Sequence, residues 1–161
     1  MFCLNCLYLK RNNMRLVVQR VKRASCTVDN KLISEISNGF MVLVGIGIDD
    51  NEEVVLKMAS KLSRLRVFED ENEKMNLSLN DVGGKILSIS QFTLYADCSK
   101  GNRPSFNLAK KGDEAKKLYE LFNEELNKLG IETKAGIFGA DMKIDLLNDG
   151  PVTIIIDSDN L

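Results

Sequence analysis

Ser90 and Thr93 stand in the stretch SISQFTLYAD, at the end of an apolar run, where a hydroxyl could act as a nucleophile. A Ser or Thr nucleophile needs a base within hydrogen-bond reach. The chain has no histidine, which removes the Ser-His-Asp triad, the Cys-His pair, the imidazole base and the imidazole metal ligand. The base would have to be Lys, Asp or Glu, and no spacing compels one. Hydroxyls that merely satisfy a strand end are the alternative. Any catalysis must draw on carboxylates, Lys, Tyr, hydroxyls, backbone groups or the substrate itself.

A second stretch, DLLNDGPVTIIID, raises a different question. Its flanks read as β-strand, yet Asn148-Asp149-Gly150-Pro151 interrupts them. Proline cannot donate to a sheet ladder and is pushed to edges, turns or bulges. A Gly-Pro pair can also hold a cis peptide bond. Metal chemistry has little support: of the four cysteines, Cys3 and Cys6 form a lone C-x-x-C at the terminus, with no second pair to complete a zinc site. Incidental thiols in a reducing cytosol are the simplest reading. Net charge is −1 over 161 residues, so the whole-protein field does not advertise nucleic acid. A local patch can still bind RNA, since phosphate contacts need only a few placed Lys or Arg. The loop ADCSKGNRPSFNLAKKG carries Lys100, Arg103, Lys110 and Lys111 on little apolar scaffolding.

The elements that must position these groups can be read from periodicity. Residues 14–21 and the run GFMVLVGIG read as strands, the second buried. ASCTVDNKLISEI reads as two short strands around Asp29-Asn30, a hairpin signal. Asp50 as N-cap with Glu53 three residues on resembles a capping box. Val54, Met58, Leu62 and Leu65 then follow as one helical face. A short strand is expected at 66–68, and KILSISQFTLY as a second apolar strand whose alternation groups Ser90, Phe92 and Leu94. Asp113 is the expected cap of a second helix with the stripe Ala115, Leu118, Phe122, Leu126 and Leu129, ended by Gly130. IETKAGIFG, DMKIDLL and PVTIIID read as three closing strands. The order predicts one α+β domain over residues 14–161, mainly antiparallel sheet with two main helices packed outside. Residues 1–13 read as an extension: the apolar run is too short to span a bilayer and its positive charges follow rather than precede it.

SQFTL at residues 90–94, NDGPVT at 148–153, and the flanking GKILSI, KGNRPSF and FGADM resemble the D-aminoacyl-tRNA deacylases, which remove D-amino acids from tRNA. SQFTL is similar to that family's SQxxL motif and NDGPVT to its NxGPxT motif, and the likeness runs over residues 14–157. The resemblance implies a barrel-like fold, a cytoplasmic homodimer, the aminoacylated 3′ end of tRNA as substrate, and no cofactor, metal or membrane. It implies a cis Gly150–Pro151 bond carried from one subunit into the other's site. There the two backbone carbonyls would clash with an L side chain and spare a D one. Glycine has no side chain to clash, so glycyl-tRNA is an expected further substrate.

The resemblance further implies catalysis by placement. The terminal 2′-hydroxyl assists water, and the oxyanion is held by main-chain N–H groups around the strand end Ser90 to Thr93, those of Phe92 and Thr93, with Gln91 shaping the site. Thr93 as nucleophile is the alternative. Phe138, Gly139 and Met142 resemble a pocket for the terminal adenine, with ordinary core residues as the alternative. Arg20 resembles an arginine that buttresses the Gly-Pro loop, or is a surface residue of the first strand. Lys100 and Arg103 are candidates for tRNA phosphates. Ser90 argues against the related deacylases whose motif reads PQxxL and whose Gly-Pro is trans. A non-catalytic dimeric module that binds a nucleotide or RNA end is the rival of another class.

Overall fold

A computed structural model describes residues 13–161; the Cys3-x-x-Cys6 pair and the expected extension lie essentially outside them. One long strand organises the fold. β1, Arg15–Val28, is rich in Val and alternates buried and less buried positions along its first half. It turns at Asp29-Asn30, both with positive φ (48° and 60°), the turn geometry that Asx residues tolerate and that matches strand twist. The chain returns antiparallel as β2, Lys31–Ile36, and β3, Gly39–Gly45. β2 and β3 pair with β1 in a common register, Ala24 opposite Ile36 and Val21 opposite Gly39.

Helix α1, Glu52–Ser63, follows, then a two-stranded ribbon of β4, Phe68–Glu69, and β5, Met75–Leu77. After the single turn α2, Leu79–Val82, β6, Lys85–Ser90, runs parallel to β3. Helix α3, Gly112–Lys128, leads to β7, Thr133–Ala135, parallel to β6. β8, Lys143–Asp157, closes the chain antiparallel to β1. β2 and β3 pair end to end with one edge of β1, β6 and β7 follow in order from β3, and β8 pairs with the other edge of β1. β2 also approaches β7, the Ser34 hydroxyl donating to the Ala135 carbonyl at 2.9 Å. The expected α+β architecture is therefore observed as a nearly closed, mixed barrel with α1 and α3 outside, plus the short α2.

The sheet has two apolar faces. Leu16, Val18, Phe40, Val42 and Ile86 pack against Met58 and Leu62 of α1 and Tyr119, Phe122 and Leu126 of α3. Val21, Ala24, Cys26, Met41, Leu87 and Ile89 fill the barrel interior. Each fully buried large side chain contributes about 1.5–3 kcal/mol, so the helical layer and the barrel interior both matter. Among the described residues, no helix is long and apolar enough to cross a membrane.

Several local expectations are corrected. Asn51, not Asp50, caps α1: its side chain accepts the Val54 N–H at 3.1 Å. Asp50 is buried and accepts the N–H groups of Met14, at 2.8 Å, and Gly47 instead. A carboxylate with two oxygens can serve two backbone donors across a loop, which an exposed cap does not require. Asp113 lies inside the first turn of α3, whose N-cap is Lys111. On α3 the buried stripe takes in Tyr119, while Leu129 is exposed. The short strand expected at 66–68 begins only at Phe68. DMKIDLL and PVTIIID form a single strand, so the closing strands number two.

Candidate active site

The SQFTL segment marks a change of element rather than a strand end in alternation. β6 stops at Ser90 and residues Phe92–Tyr95 form one turn of 3-10 helix. The Gln91 N–H still donates to the Val44 carbonyl at 2.8 Å, and the turn's first bond runs from the Leu94 N–H to the Gln91 carbonyl at 3.5 Å. The N–H groups of Phe92 and Thr93 precede that bond and have no acceptor inside the turn, as at any helix start. Gln91 Nε2 donates to Thr93 Oγ1. Phe92 is 57% exposed, and its ring meets the edge of Phe106 with centroids 5.1 Å apart.

Beside this turn lies a cavity of about 280 Å³. Its lining joins Ser90, Gln91 and Phe92 to Phe138, Gly139 and Met142. Two segments almost fifty residues apart in sequence, expected separately to serve the ester and the adenine, thus share one hollow. Phe138 to Ala140 make a turn in which Gly139 has φ 77°, a conformation side chains disfavour. The Phe138 ring packs on Tyr119, centroids 5.8 Å apart, and the Tyr119 hydroxyl donates to the Ser88 carbonyl at 2.8 Å. Burial raises the Tyr119 phenol above its ordinary range, so this anchor stays a neutral donor. The lining also holds Val44, Ile46, Ala115 and Ile144, which periodicity marks only as core.

The expected basic loop, residues 96–112, is fastened at both ends, and its last residue, Gly112, already opens α3. Asp97 and Ser105 exchange backbone hydrogen bonds at 2.8 and 3.0 Å, and the Lys110 N–H donates to the Ile46 carbonyl at 2.9 Å. Lys100 and Arg103 are exposed on it and do not line the cavity.

NDGP is a bulge within β8. Asn148 pairs with Val21 and Thr153 with Gln19, so four residues, 149–152, stand opposite Arg20 alone. The surplus carries Gly150 and Pro151 out to the surface, and the bond between them is cis. The Asn148 side chain ties the base of the bulge, accepting the Val152 N–H at 2.9 Å and donating to Thr153 Oγ1 at 3.0 Å. Gly150 has φ 132°, and a Cβ there would stand 2.7 Å from Val152 Cγ2 and 3.0 Å from its nitrogen. Only glycine fits that path.

Arg20 is buried at 6% exposure, not a surface residue of β1. Its Nε donates to the Asp149 carbonyl at 3.1 Å and its Nη1 to the Val67 carbonyl at 2.7 Å. The guanidinium therefore rivets the bulge to the segment entering β4. Its charge is met by the Asp149 carboxylate at 3.4 Å and by Glu69 at 3.8 Å. Lys22 reaches the same Asp149 carboxylate at 3.2 Å.

A family model described as D-Tyr-tRNA(Tyr) deacylase matches residues 17–157 of this sequence. The chain belongs to the D-Tyr-tRNA(Tyr) deacylase family. Among relatives in this family of hydrolases, a D-aminoacyl-tRNA deacylase of Fusobacterium nucleatum subsp. nucleatum is 59% identical over 145 residues, covering 90% of this chain and 96% of the relative. One from Clostridium perfringens is 56% identical over 145 residues, covering 90% and 97%. A solved structure of a c-Myc DNA unwinding element binding protein has TM-score 0.82 and 44% identity over 88% of this chain and 97% of its own. A probable eukaryotic D-amino acid tRNA deacylase has TM-score 0.78 at 18% identity, over 90% and 99%, and speaks to the fold.

Proposed function

We infer that the chain hydrolyses the ester joining a D-amino acid to the terminal ribose of tRNA and spares the L-aminoacyl ester. The observation that carries this reading is the shared cavity, where the 90–93 segment meets Phe138, Gly139 and Met142. An apolar, aromatic-walled hollow suits a terminal adenine, since a ring face holds a base whatever its sequence. The ester then lies toward Ser90–Phe92, where the N–H groups of Phe92 and Thr93 are aimed at developing negative charge. Water attacks the ester carbonyl with help from the neighbouring 2′-hydroxyl. The carbon–oxygen bond to the ribose breaks, and the ribose oxygen leaves as a hydroxyl. The protein supplies orientation and oxyanion stabilisation, which a histidine-free chain can do.

Gly150 and Pro151 do not line the cavity of their own chain. Ile144, a lining residue, stands six positions before Gly150 on β8, about 20 Å at strand rise. The bulge therefore suits a site on a second copy, and the reading is of a homodimer in which each copy's Gly150 and Pro151 carbonyls close the other's pocket against L side chains. Rejection by clash leaves glycyl-tRNA as a substrate. Lys100 and Arg103 face the tRNA phosphates, which makes binding salt-dependent. Translation sets the compartment, the cytoplasm, and the reaction needs no metal or cofactor.

The test is incubation with D-Tyr-tRNA, L-Tyr-tRNA and Gly-tRNA. Loss of the D and glycyl esters alone supports the reading. Stability of all three favours a binding module, and loss of the L ester at a similar rate removes the filter. A fall of several orders of magnitude in Thr93→Ala would make the hydroxyl the nucleophile and overturn backbone catalysis.

A further inference from the structure

The Arg15 side chain joins three parts of the fold that meet behind the 3-10 turn. Its Nε donates to Asp157 Oδ1 at 2.8 Å. Its Nη1 donates to the Leu94 carbonyl at 3.0 Å. Its guanidinium carbon lies 6.0 Å from the centre of the Tyr95 ring. The pair is sheltered, with side-chain exposures of 27% for Arg15 and 10% for Asp157. Leu94 and Tyr95 belong to the same turn as Phe92 and Thr93. Tyr95 is buried, and its hydroxyl lies 3.0 Å from the Gly45 carbonyl and 2.7 Å from that of Asn13.

We propose that Arg15 is a positioning residue for the deacylation reaction, holding the Phe92–Tyr95 turn so that its leading N–H groups face the reacting carbonyl. The inference rests on the reading of those N–H groups as oxyanion donors. A single turn has too few internal bonds to fix its own axis. Its direction is set from outside, by the Gln91 N–H bonded to Val44 of β3 at one end and by Arg15 and Tyr95 at the other. The guanidinium is suited to the task because its planar fork serves a carboxylate and a carbonyl at once, from fixed directions. An ammonium on a flexible stem is a point charge and cannot hold both partners in that geometry. Arg15 does not line the cavity, so its removal acts on the chemical step rather than on binding.

The experiment is steady-state hydrolysis of D-Tyr-tRNA by the wild type, Arg15→Ala and Arg15→Lys, with folding followed by circular dichroism. The expected result is a kcat lowered at least about tenfold in both variants with KM within about twofold, the pattern of an interaction needed at the transition state. Added methylguanidinium should restore part of the kcat of Arg15→Ala and leave the wild type unchanged. Discrimination between D- and L-Tyr-tRNA should be preserved, since the bulge is elsewhere. Should Arg15→Ala fail to fold, Arg15→Lys carries the same kcat prediction. A folded variant of either kind with wild-type kcat overturns the inference, as does a loss confined to KM. Failure of the wild type itself to hydrolyse D-Tyr-tRNA would sink the underlying reading instead.

Discussion

Arg20 shows how much one buried side chain can decide. Its guanidinium donates to the Asp149 and Val67 carbonyls, so truncation would leave both acceptors short of a donor and open a void beneath the bulge. Losses of this kind cost about 2–4 kcal/mol. The bulge itself holds on through Asn148, so Arg20→Ala should fold with lower stability but present Gly150 and Pro151 loosely. The expected outcome is a drop of that size in urea denaturation, together with measurable hydrolysis of L-Tyr-tRNA relative to D. A variant that loses stability yet discriminates as well as the wild type would show that Arg20 supports the fold and not the filter. In the sequence, alternation puts Arg20 on the same face as Leu16 and Val18, but a charged side chain there reads equally as a surface residue until its carbonyl partners are seen. Only the likeness of its motif to a known family points to the bulge. Arg15 carried no signal at all, because its partners, Leu94 and Asp157, come from the middle and the end of the chain.

At the scale of elements, what periodicity can see was legible: the hairpin at Asp29-Asn30, the buried β3, both long helices, and the part of their apolar stripes formed by Met58 and Leu62 and by Ala115, Phe122 and Leu126. What failed were the junctions, where tertiary contacts outrank local pattern. KILSISQFTLY reads as strand throughout, but the chain turns at Gln91 because Tyr95 and Leu94 find partners behind the sheet. DLLNDGPVTIIID reads as two strands, but β1 is long enough to pair with both flanks, so the insertion becomes a bulge. The start of α1 failed in the same way: Asp50 and Asn51 are adjacent and both are good caps by type. The cap assignments of α1 and α3 can be tested by experiment. Asn51→Ala should cost about 1 kcal/mol, the usual effect of losing a side-chain cap. Asp113→Ala, which removes an exposed first-turn carboxylate and no cap bond, should cost about 0.3–1 kcal/mol at low salt and less as salt rises. Equal, salt-independent losses in chemical denaturation would contradict the assignment of the caps.

Across the whole molecule, Asp50 ties the start of β1 to the loop leading into α1, and through Gly47 it also touches the base of the basic loop, where Gly47 bridges Ala109. Burial pushes its carboxyl up to about 6, against hydrogen bonds from Gly47 and Met14 and the charge of Lys110, all of which favour the ionised form. The ordinary aspartate value is about 4, so between about pH 4 and 6 the folded protein holds a proton that the unfolded chain has released. Stability from this group is therefore present in full below about pH 4, declines as pH rises to 6, and is level above, by at most about 3 kcal/mol. Asp70, Asp81 and Asp97 act in the opposite sense. Their carboxyls are held below the usual range by hydrogen bonds from Lys74 and Asn72, from Ser78, and from Ser99 respectively, so they lose stability only as pH falls below about 4. Glu132, held low by its Lys85 hydrogen bond, acts in the same sense from a slightly higher starting value, so the Asp50 effect stands clearest above about pH 5, and the Asp50→Asn comparison separates it from the rest. Urea denaturation at pH 4, 5, 6 and 7 should give a wild-type stability that declines from pH 4 to 6, and an Asp50→Asn variant without that decline. The variant is less stable overall, because an amide offers one acceptor where two backbone donors converge. Wild-type and variant curves that stay parallel across the window would place the Asp50 proton elsewhere and leave the loop-to-strand tie independent of pH.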